Sequence, residues 1–365
     1  MAADTDPLRG DFLGPNPYDR EISAFMRVPP IYWALGIVLL FMPVLASDFV
    51  LYQIFGWAFV LGMIALSLMF LAGYGGMVSL AQMSVAALAA YLVAIFGDSA
   101  ITKISLGWPW WVALPLAIGI ATLFGTLIGA LAVRTVGIYT IMITLAIASA
   151  FFYFTRQNYV IFNGFSGFNG VAPPLLFGID WRAPRPFYYL SLALATLSYA
   201  LVLYVARAPF GLALQGVRDN ARRMEALGFN VTAHRIAAYA FASVIAALGG
   251  VLLVWLNGQV SPGTAGINVV IDLLVIAVVG GLRHPIGPFI GAMIYVLLRT
   301  FATDVLVAVG LAGERFQLLI GLGFLITVFW SPDGVLGLWH RWRERRRDDP
   351  LAASSRAPAD KAGQP

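Results

Sequence analysis

Long apolar runs constrain this chain more than any other feature. A helix that crosses the hydrocarbon core of a bilayer needs about 20 mainly apolar residues, and such runs recur along the whole sequence. Only 11% of the 365 residues are charged and 60% are hydrophobic, whereas about 25% are charged in an ordinary soluble domain. The mean hydropathy of +0.83 agrees with this deficit. The chain is therefore predicted to be an all-α integral membrane protein.

The hydropathy pattern predicts about ten transmembrane helices. Ser47 and Asp48 alone separate the first two, which suggests a tight hairpin, and the eighth is short. Boundaries predicted in this way are uncertain by about two to four residues. The candidate spans are residues 30–47, 49–72, 77–97, 109–132, 138–155, 187–206, 235–256, 268–282, 286–303 and 315–331.

The distribution of positive charge predicts the orientation of these spans. Cytoplasmic loops of membrane proteins carry an excess of Lys and Arg. With a cytoplasmic N-terminus, ten spans place 17 of the 23 Lys and Arg residues inside. An odd number of spans would put the basic C-terminal tail outside and is disfavoured. We expect both termini in the cytoplasm, with a polar tail at 1–28, a transmembrane domain at 29–335, and a basic, then disordered, tail at 336–365.

Composition excludes several kinds of active site. There is no cysteine and there are three histidines, so thiolate chemistry is excluded and a histidine-based metal centre is not expected. Neither Lys103 nor Lys361 follows a glycine-rich loop, as a P-loop ATPase requires. The net charge of +5 lies in loops and tails, which argues against nucleic-acid binding. We expect a non-catalytic chain that binds no metal or cofactor. If ATP drives it, another subunit binds the ATP.

The connection at residues 207–234 carries an amphipathic pattern. Its apolar residues recur at spacings of three and four, which predicts a helix with one apolar stripe, and Gly228 is placed to end that helix. One interpretation is a docking helix whose apolar stripe enters a groove in a partner. The alternative is a helix that lies on the bilayer surface. The stripe is Leu214, Val217, Ala221, Met224 and Leu227, and the charged face carries Arg218, Arg222 and Glu225.

Polar residues inside the predicted spans are candidates for a solute path, because such groups are costly in hydrocarbon. Asp272 is the main acidic candidate, although it could also reach interfacial water or bond a neighbouring helix. Gln82, Thr144 and Asn257 could line a path or hydrogen-bond between helices. The glycines at 73, 75 and 76 could break a helix. The glycine pairs Gly125/Gly129 and Gly287/Gly291 predict close helix packing.

Four stretches resemble the LivM-type permease subunits of branched-chain amino acid ABC importers, and their order and spacing match over residues 55–335. They differ from the family pattern at Gln82, where the family often has His, and in the residues that follow it. The loop 163–170 resembles its family counterpart only loosely. The four stretches are Gly73–Gln82, Arg134–Leu145, Arg218–Asn220 with Ala226–Asn230, and Val279–Ala292.

The resemblance implies a multi-pass subunit of a bacterial inner-membrane importer. Its partners would be a LivH-like second permease chain, two cytoplasmic subunits that bind ATP and Mg²⁺, and an extracytoplasmic solute-binding protein. Alternating access would move aliphatic, zwitterionic amino acids inward.

The resemblance also assigns residues to two tasks. Contact with the ATPase would involve Leu214, Val217, Arg218, Asp219, Asn220, Arg222, Met224, Glu225, Ala226, Leu227 and Gly228. The translocation path would include Gly73, Gly76, Ser79, Gln82, Tyr139, Thr144 and Asp272.

Two alternatives to this function stay open. Similar permeases carry urea, short amides or small aromatic acids, and the binding protein largely selects among these solutes. An ion-coupled secondary transporter is the alternative from another class, but it usually needs several buried acids and the spans contain chiefly Asp272. Scarce buried charge favours a solute without net charge.

Overall fold

The computed structural model describes residues 30–101, 103–135, 137–174, 178, 180–308, 321, 322, 325 and 334. The chain divides into two units, Met1–Ser47 and Asp48–Pro365, which are described separately. The first unit contains helix α1, Pro30–Leu45, with Pro43 inside it. The predicted tails at 1–28 and 336–365, and most of the predicted tenth span, lie outside the described residues.

The second unit is built from helices, and the all-α fold is confirmed. The most buried of its long apolar helices, α2, runs over Val50–Tyr74, with π-helical turns at Val50–Gly56 and Phe70–Tyr74. The helices that follow are α3 (Gln82–Phe96), α4 (Trp110–Ala132), α5 (Ile138–Gln157), α6 (Pro184–Arg207), α7 (Pro209–Asp219), α8 (Ala221–Ala226), α9 (Val231–Asn257), α10 (Ile267–Gly280) and α11 (Gly287–Ala308).

Five of these helices are long and apolar enough to cross a membrane: α2, α4, α5, α6 and α9. Shorter apolar helices cover Gly36–Leu45, Gln82–Phe96, Ile267–Gly280 and Gly287–Phe301. These nine segments coincide with the first nine predicted spans. The third predicted span begins too early, because residues 77–81 are not helical and α3 begins only at Gln82. Just before them, Gly76 adopts a φ of +67°, which is incompatible with a continuous helix.

Helix α2 forms the centre of the second unit. Its α-helical part, Trp57–Met69, is apolar on every face and buried from Ala58 onward, as expected for a helix surrounded by others. Helices α6, α9, α10 and α11 pack against it, and α9 also packs against α3 and α4. Helices α4, α5 and α6 bury mainly one face each.

Small residues allow the closest of these helix contacts, as predicted. Gly125 and Gly129 lie where α4 meets α9, and a Cβ atom at Gly129 would overlap the Tyr239 side chain. Gly287 and Gly291 lie where α11 meets α10, and a Cβ atom at either would overlap the backbone of the preceding segment. Ordinary packing therefore accounts for both glycine pairs.

Several connections meet at one end of the helices. Arg218 of α7 donates a hydrogen bond to the carbonyl of Gly73, and the carbonyl of Leu282 adjoins the same glycine. Val133 and Leu214 belong to one apolar cluster. We call this end, formed by residues 75–81, 133–135, 137, 208–230 and 281–286, the basic end. Its described basic residues include Arg134, Arg207, Arg218, Arg222, Arg223, Arg235 and Arg283.

Other connections meet at the opposite end. The amide of Ala100 donates to the carbonyl of Asn169 over 2.9 Å. The short strands β1 (Phe168–Asn169) and β2 (Gln259–Val260) pair antiparallel. The loops at 97–109, 158–183 and 258–266 therefore lie together. Lys103, Arg156, Arg182 and Arg185 are the basic residues in or beside the described parts of these loops.

Candidate functional site

The amphipathic connection forms two short helices instead of the single helix that its periodicity predicts. Helix α7 begins with Pro209 in its first turn, where the missing N–H costs nothing. The chain leaves the helix at Asn220, whose side-chain oxygen accepts a hydrogen bond from the amide of Arg223 over 3.0 Å. This cap begins α8. Helix α8 ends before Gly228, whose φ of +89° confirms its predicted role.

The prediction that the whole apolar stripe faces a partner is wrong for its first half. The side chains of Leu214 and Val217 are fully buried inside this chain. Leu214 packs in a cluster with Leu71 of α2 and Tyr239 of α9. Periodicity identifies a face that is buried, but it does not identify what buries it. The side chains of these two residues belong to the core of the subunit and are not part of its exposed surface.

Other residues of the connection remain exposed at the basic end. Leu212 and Leu227 are 60% and 66% exposed, and Phe229 is 40% exposed. Met224 is half-buried against Gly216. We call the exposed set Leu212, Arg222, Glu225, Leu227 and Phe229 the outer face of the loop. Of the other predicted coupling residues, Asp219, Asn220, Ala226 and Gly228 are also exposed.

Arg218 connects this loop to the end of the central helix. Its Nη1 donates to the carbonyl oxygen of Gly73 over 2.5 Å, and its Nε donates to Asp219 Oδ1 over 2.9 Å. A Cβ atom at Gly76 would lie 2.6 Å from the Arg218 Cγ, so the arginine passes directly over the helix break. A cation at the last carbonyls of a helix is stabilising. Gly73 and Gly76 thus contact the loop.

Two other predicted path residues, Gln82 and Thr144, contact neighbouring segments near the basic end. The amide of Leu80 donates to Thr144 Oγ1 over 3.1 Å, which ties the segment 75–81 to α5. Ser67 Oγ lies 3.3 Å from Gln82 Oε1. Ser79 is fully buried. These contacts favour the interpretation that the groups bond neighbouring helices. Tyr139 is 66% exposed at the start of α5 and is not brought together with them.

A cavity of about 370 Å³ lies among α2, α3, α9, α10 and α11. Asp272 and Asn257, both predicted from the sequence as candidates for lining a path, are in its lining. Tyr295 donates a hydrogen bond to Asp272 Oδ2 over 2.8 Å, and the Arg299 guanidinium carbon lies 5.6 Å from the centre of the Trp57 ring. The remaining lining residues are Leu61, Met83, Leu253, Thr264, Asn268, Val269, Leu273 and Ile276.

The cavity lies nearer the opposite end. Thr264 belongs to the loop 258–266, and Asp272 lies five residues into α10, about 8 Å along a helix. Sequence reasoning missed Tyr295, Trp57 and the role of Arg299, because nothing in their spacing relates α2 or α11 to Asp272. The only indication in the sequence was the presence of an ionisable residue inside a predicted span. Arg299 is such a residue, as is Asp272. No group of three or more metal-binding side chains occurs among the residues that the structure describes.

Comparison with known proteins identifies the family. The model for the branched-chain amino acid transport system permease component matches residues 50–328. The chain belongs to this family. The match covers the whole described part of the second unit except Asp48, Phe49 and Gly334.

Individual relatives carry consistent names. The chain is 24% identical over 296 residues to the high-affinity branched-chain amino acid transport system permease protein LivM of Salmonella typhimurium, and 23% identical to that of Escherichia coli. Each match covers 75% of this chain but only 65% of the relative. A probable LivH permease of Methanocaldococcus jannaschii is 27% identical over 156 residues, which is 40% of this chain and 46% of the relative. No solved structure matches.

Proposed function

We propose that this chain is a transmembrane permease subunit of an ATP-binding cassette importer that moves branched-chain amino acids into a bacterial cell. The family match over residues 50–328 is the observation that carries the proposal. The helices of the second unit are those of a multi-pass membrane protein.

The proposed assembly contains a LivH-like second permease chain, two ATP-binding subunits that hold ATP and Mg²⁺, and an extracytoplasmic solute-binding protein. Similarity to both LivM and LivH proteins supports a paired arrangement. The sequence has no P-loop lysine, so the ATP-binding site belongs to other chains. The permease itself has no catalytic role in this assignment.

In this proposal the basic end faces the cytoplasm. The excess of arginine there over the opposite end supports this orientation. The outer face of the loop then lies where a cytoplasmic ATPase can reach it. Its two leucines and Phe229 supply apolar contact, and Arg222 and Glu225 supply a charged rim, which is the composition of a helix-in-groove contact.

Arg218 is the proposed link between ATP hydrolysis and the membrane helices. A displacement of α7 and α8 pulls on the Gly73 carbonyl through the 2.5 Å hydrogen bond. The segment 75–81 follows directly and is tied to α5 at Thr144. Movement of the loop therefore reaches the helices without any contact between the loop and the solute. Alternating access requires a connection of this kind.

The test is uptake by the complete transporter in proteoliposomes. The chain is co-expressed with its second permease and ATP-binding subunits, and radiolabelled leucine is supplied with the binding protein outside and ATP inside. We expect ATP-dependent leucine uptake that urea and benzoate do not inhibit. Uptake of urea or benzoate in place of leucine would contradict the proposed substrate. Uptake driven by a proton gradient without ATP would contradict the proposed class.

The same assay tests the coupling link. Arg218→Glu places a carboxylate against the last carbonyls of α2, so we expect uptake to fall at least about tenfold. Arg218→Lys keeps the positive charge and should retain most of the activity. Equal uptake by Arg218→Glu and the unaltered chain would show that the contact between Arg218 and Gly73 does not couple the loop to the membrane helices.

A further inference from the structure

The cavity between α9, α10 and α11 has the features of a solute site. Its volume of about 370 Å³ falls in the range of about 300–1,000 Å³ typical of small-molecule pockets. Leu61, Leu273 and Ile276 provide aliphatic walls, and Asn257 and Asn268 provide amide groups. Such a mixture of apolar walls and few polar groups is characteristic of pockets that bind small organic molecules.

The cavity also contains one negative and one positive side chain. Asp272 is half-buried and lies on α10, and Arg299 lies on α11. The two attract each other electrostatically. Ionisable residues inside membrane spans are expensive and usually serve a function. A pair on two separate helices that both line one cavity presents opposite charges to whatever enters it.

The side chains around this pair orient its two members. Tyr295 holds one carboxylate oxygen of Asp272 by a 2.8 Å hydrogen bond. The Trp57 ring lies 5.6 Å from the Arg299 guanidinium carbon, within the range of a cation–π contact. The planar guanidinium suits a carboxylate, to which it can donate two parallel hydrogen bonds. A carboxylate such as Asp272 accepts hydrogen bonds from an ammonium group.

We propose that this cavity binds a free amino acid as its zwitterion, with the solute's carboxylate at Arg299 and its ammonium group at Asp272. The aliphatic walls take the apolar side chain. This inference rests on the proposed function and adds a site within this chain, near the opposite end, that receives the solute. A net-neutral pair of charges matches a net-neutral solute, since each charged group of the solute then lies beside a side chain of opposite charge.

Ligand binding to the complete membrane complex without the solute-binding protein tests the site. The complex is placed in phosphatidylglycerol nanodiscs, and L-leucine is compared with two analogues that each lack one charge. These are 4-methylpentanoate, which lacks the ammonium group, and 3-methylbutylamine, which lacks the carboxylate. The unaltered complex should bind leucine more tightly than either analogue, and the affinity for each analogue is measured as the reference for the variants.

Two substitutions should then separate the two charges. Arg299→Gln should weaken leucine binding at least about tenfold, because it removes the partner of the solute's carboxylate. It should not lower the affinity for 3-methylbutylamine, which has no carboxylate. Asp272→Asn should also weaken leucine binding, and it should reduce the difference in affinity between leucine and 4-methylpentanoate. Tyr295→Phe keeps both charges and should cost only about two- to fivefold. Thermal unfolding of each variant verifies that it is folded.

Matched controls make the same chemical changes outside the cavity. Asp98→Asn and Arg156→Gln alter exposed residues at the same end and should leave leucine binding unchanged. Unchanged leucine affinity in Arg299→Gln and Asp272→Asn would overturn the proposal. An equal loss for all probes would overturn it as well. If the unaltered transporter imports leucine and both variants do so with the same KM, the site is wrong and the proposed function stands.

Phosphatidylethanolamine presents a similar ammonium–anion pair, so a second arm adds this lipid to the nanodiscs. Leucine binding should be the same with and without it. If phosphatidylethanolamine displaces leucine from the unaltered complex but not from Arg299→Gln, the cavity binds a lipid headgroup. That result would overturn the amino acid assignment.

Discussion

The polar groups buried at the basic end and those that line the cavity at the opposite end differ in how they are paired. At the basic end, Thr144 accepts a bond from the Leu80 amide and Ser67 contacts Gln82, so short neutral groups bond their neighbours across tight contacts. At the opposite end, Asp272 and Arg299 border open space. Both sets are polar residues in apolar helices, but one closes helix contacts and the other borders a cavity. A buried polar group with no cavity beside it indicates a structural role, whereas a charged side chain beside a cavity indicates a ligand site.

The largest expected effect separates the inner and outer sides of α7. Leu214 is fully buried and Leu212 is 60% exposed. Leu214→Asp buries a carboxylate in an apolar cluster at a cost of several kcal/mol, so we expect little folded protein. Leu212→Asp should fold normally and weaken co-purification of the ATP-binding subunits. Fluorescence-detected size-exclusion chromatography measures the folded fraction. Comparable yields of both variants would contradict the burial of Leu214.

A smaller effect tests whether Thr144 serves structure or the solute. Thr144→Val leaves the buried Leu80 amide without its acceptor, which costs about 1–3 kcal/mol, so the melting temperature should fall by several degrees. Leucine affinity should not change. The matched control is Thr126→Val, because the Thr126 hydroxyl bonds only the Thr122 carbonyl of its own helix. A change in leucine affinity without a change in melting temperature would place Thr144 on the path after all.

The smallest effect is expected at Tyr139. This residue is 66% exposed and lies away from the cavity, so Tyr139→Ala should leave melting temperature and leucine affinity unchanged within error. The measurement is the pair of assays already described. A loss of leucine affinity in this variant would show that a second region contacts the solute and would remove the contrast between the two ends.

Much of the fold could be predicted from residue pattern, because hydropathy reports directly on burial in lipid or protein. The first nine spans coincide with helices, and Gly228 ends a helix as its chemistry requires. The glycines at 73, 75 and 76 indicated a break between the second and third spans. The structure places the break at residues 75–81, a few residues later than predicted. The π-helical turns of α2 leave no recognisable pattern, since they insert one residue without changing composition.

The candidate sites were harder to predict, because they depend on contacts between distant segments. Asp272 could be found from its charge alone, but its partner Tyr295 lies 23 residues away on another helix. Leu214 has the spacing of a docking surface and packs against its own chain instead. Arg218 was assigned to a charged rim, yet it reaches Gly73, 145 residues earlier. Periodicity describes one helix at a time and carries no information on what lies opposite.

The short length of α10 has a consequence for how this part of the chain spans a bilayer. With 14 residues, the helix rises about 21 Å, which is less than the hydrocarbon thickness of about 30 Å. Helix α3, with 15 residues, is similarly short, while α9 beside them has 27 and rises about 40 Å. The long helices are thus long enough to cross the hydrocarbon core and the short ones are not. Beside α10, the connections at 258–266 and 281–286 must cover the part of the bilayer thickness that the helix does not reach.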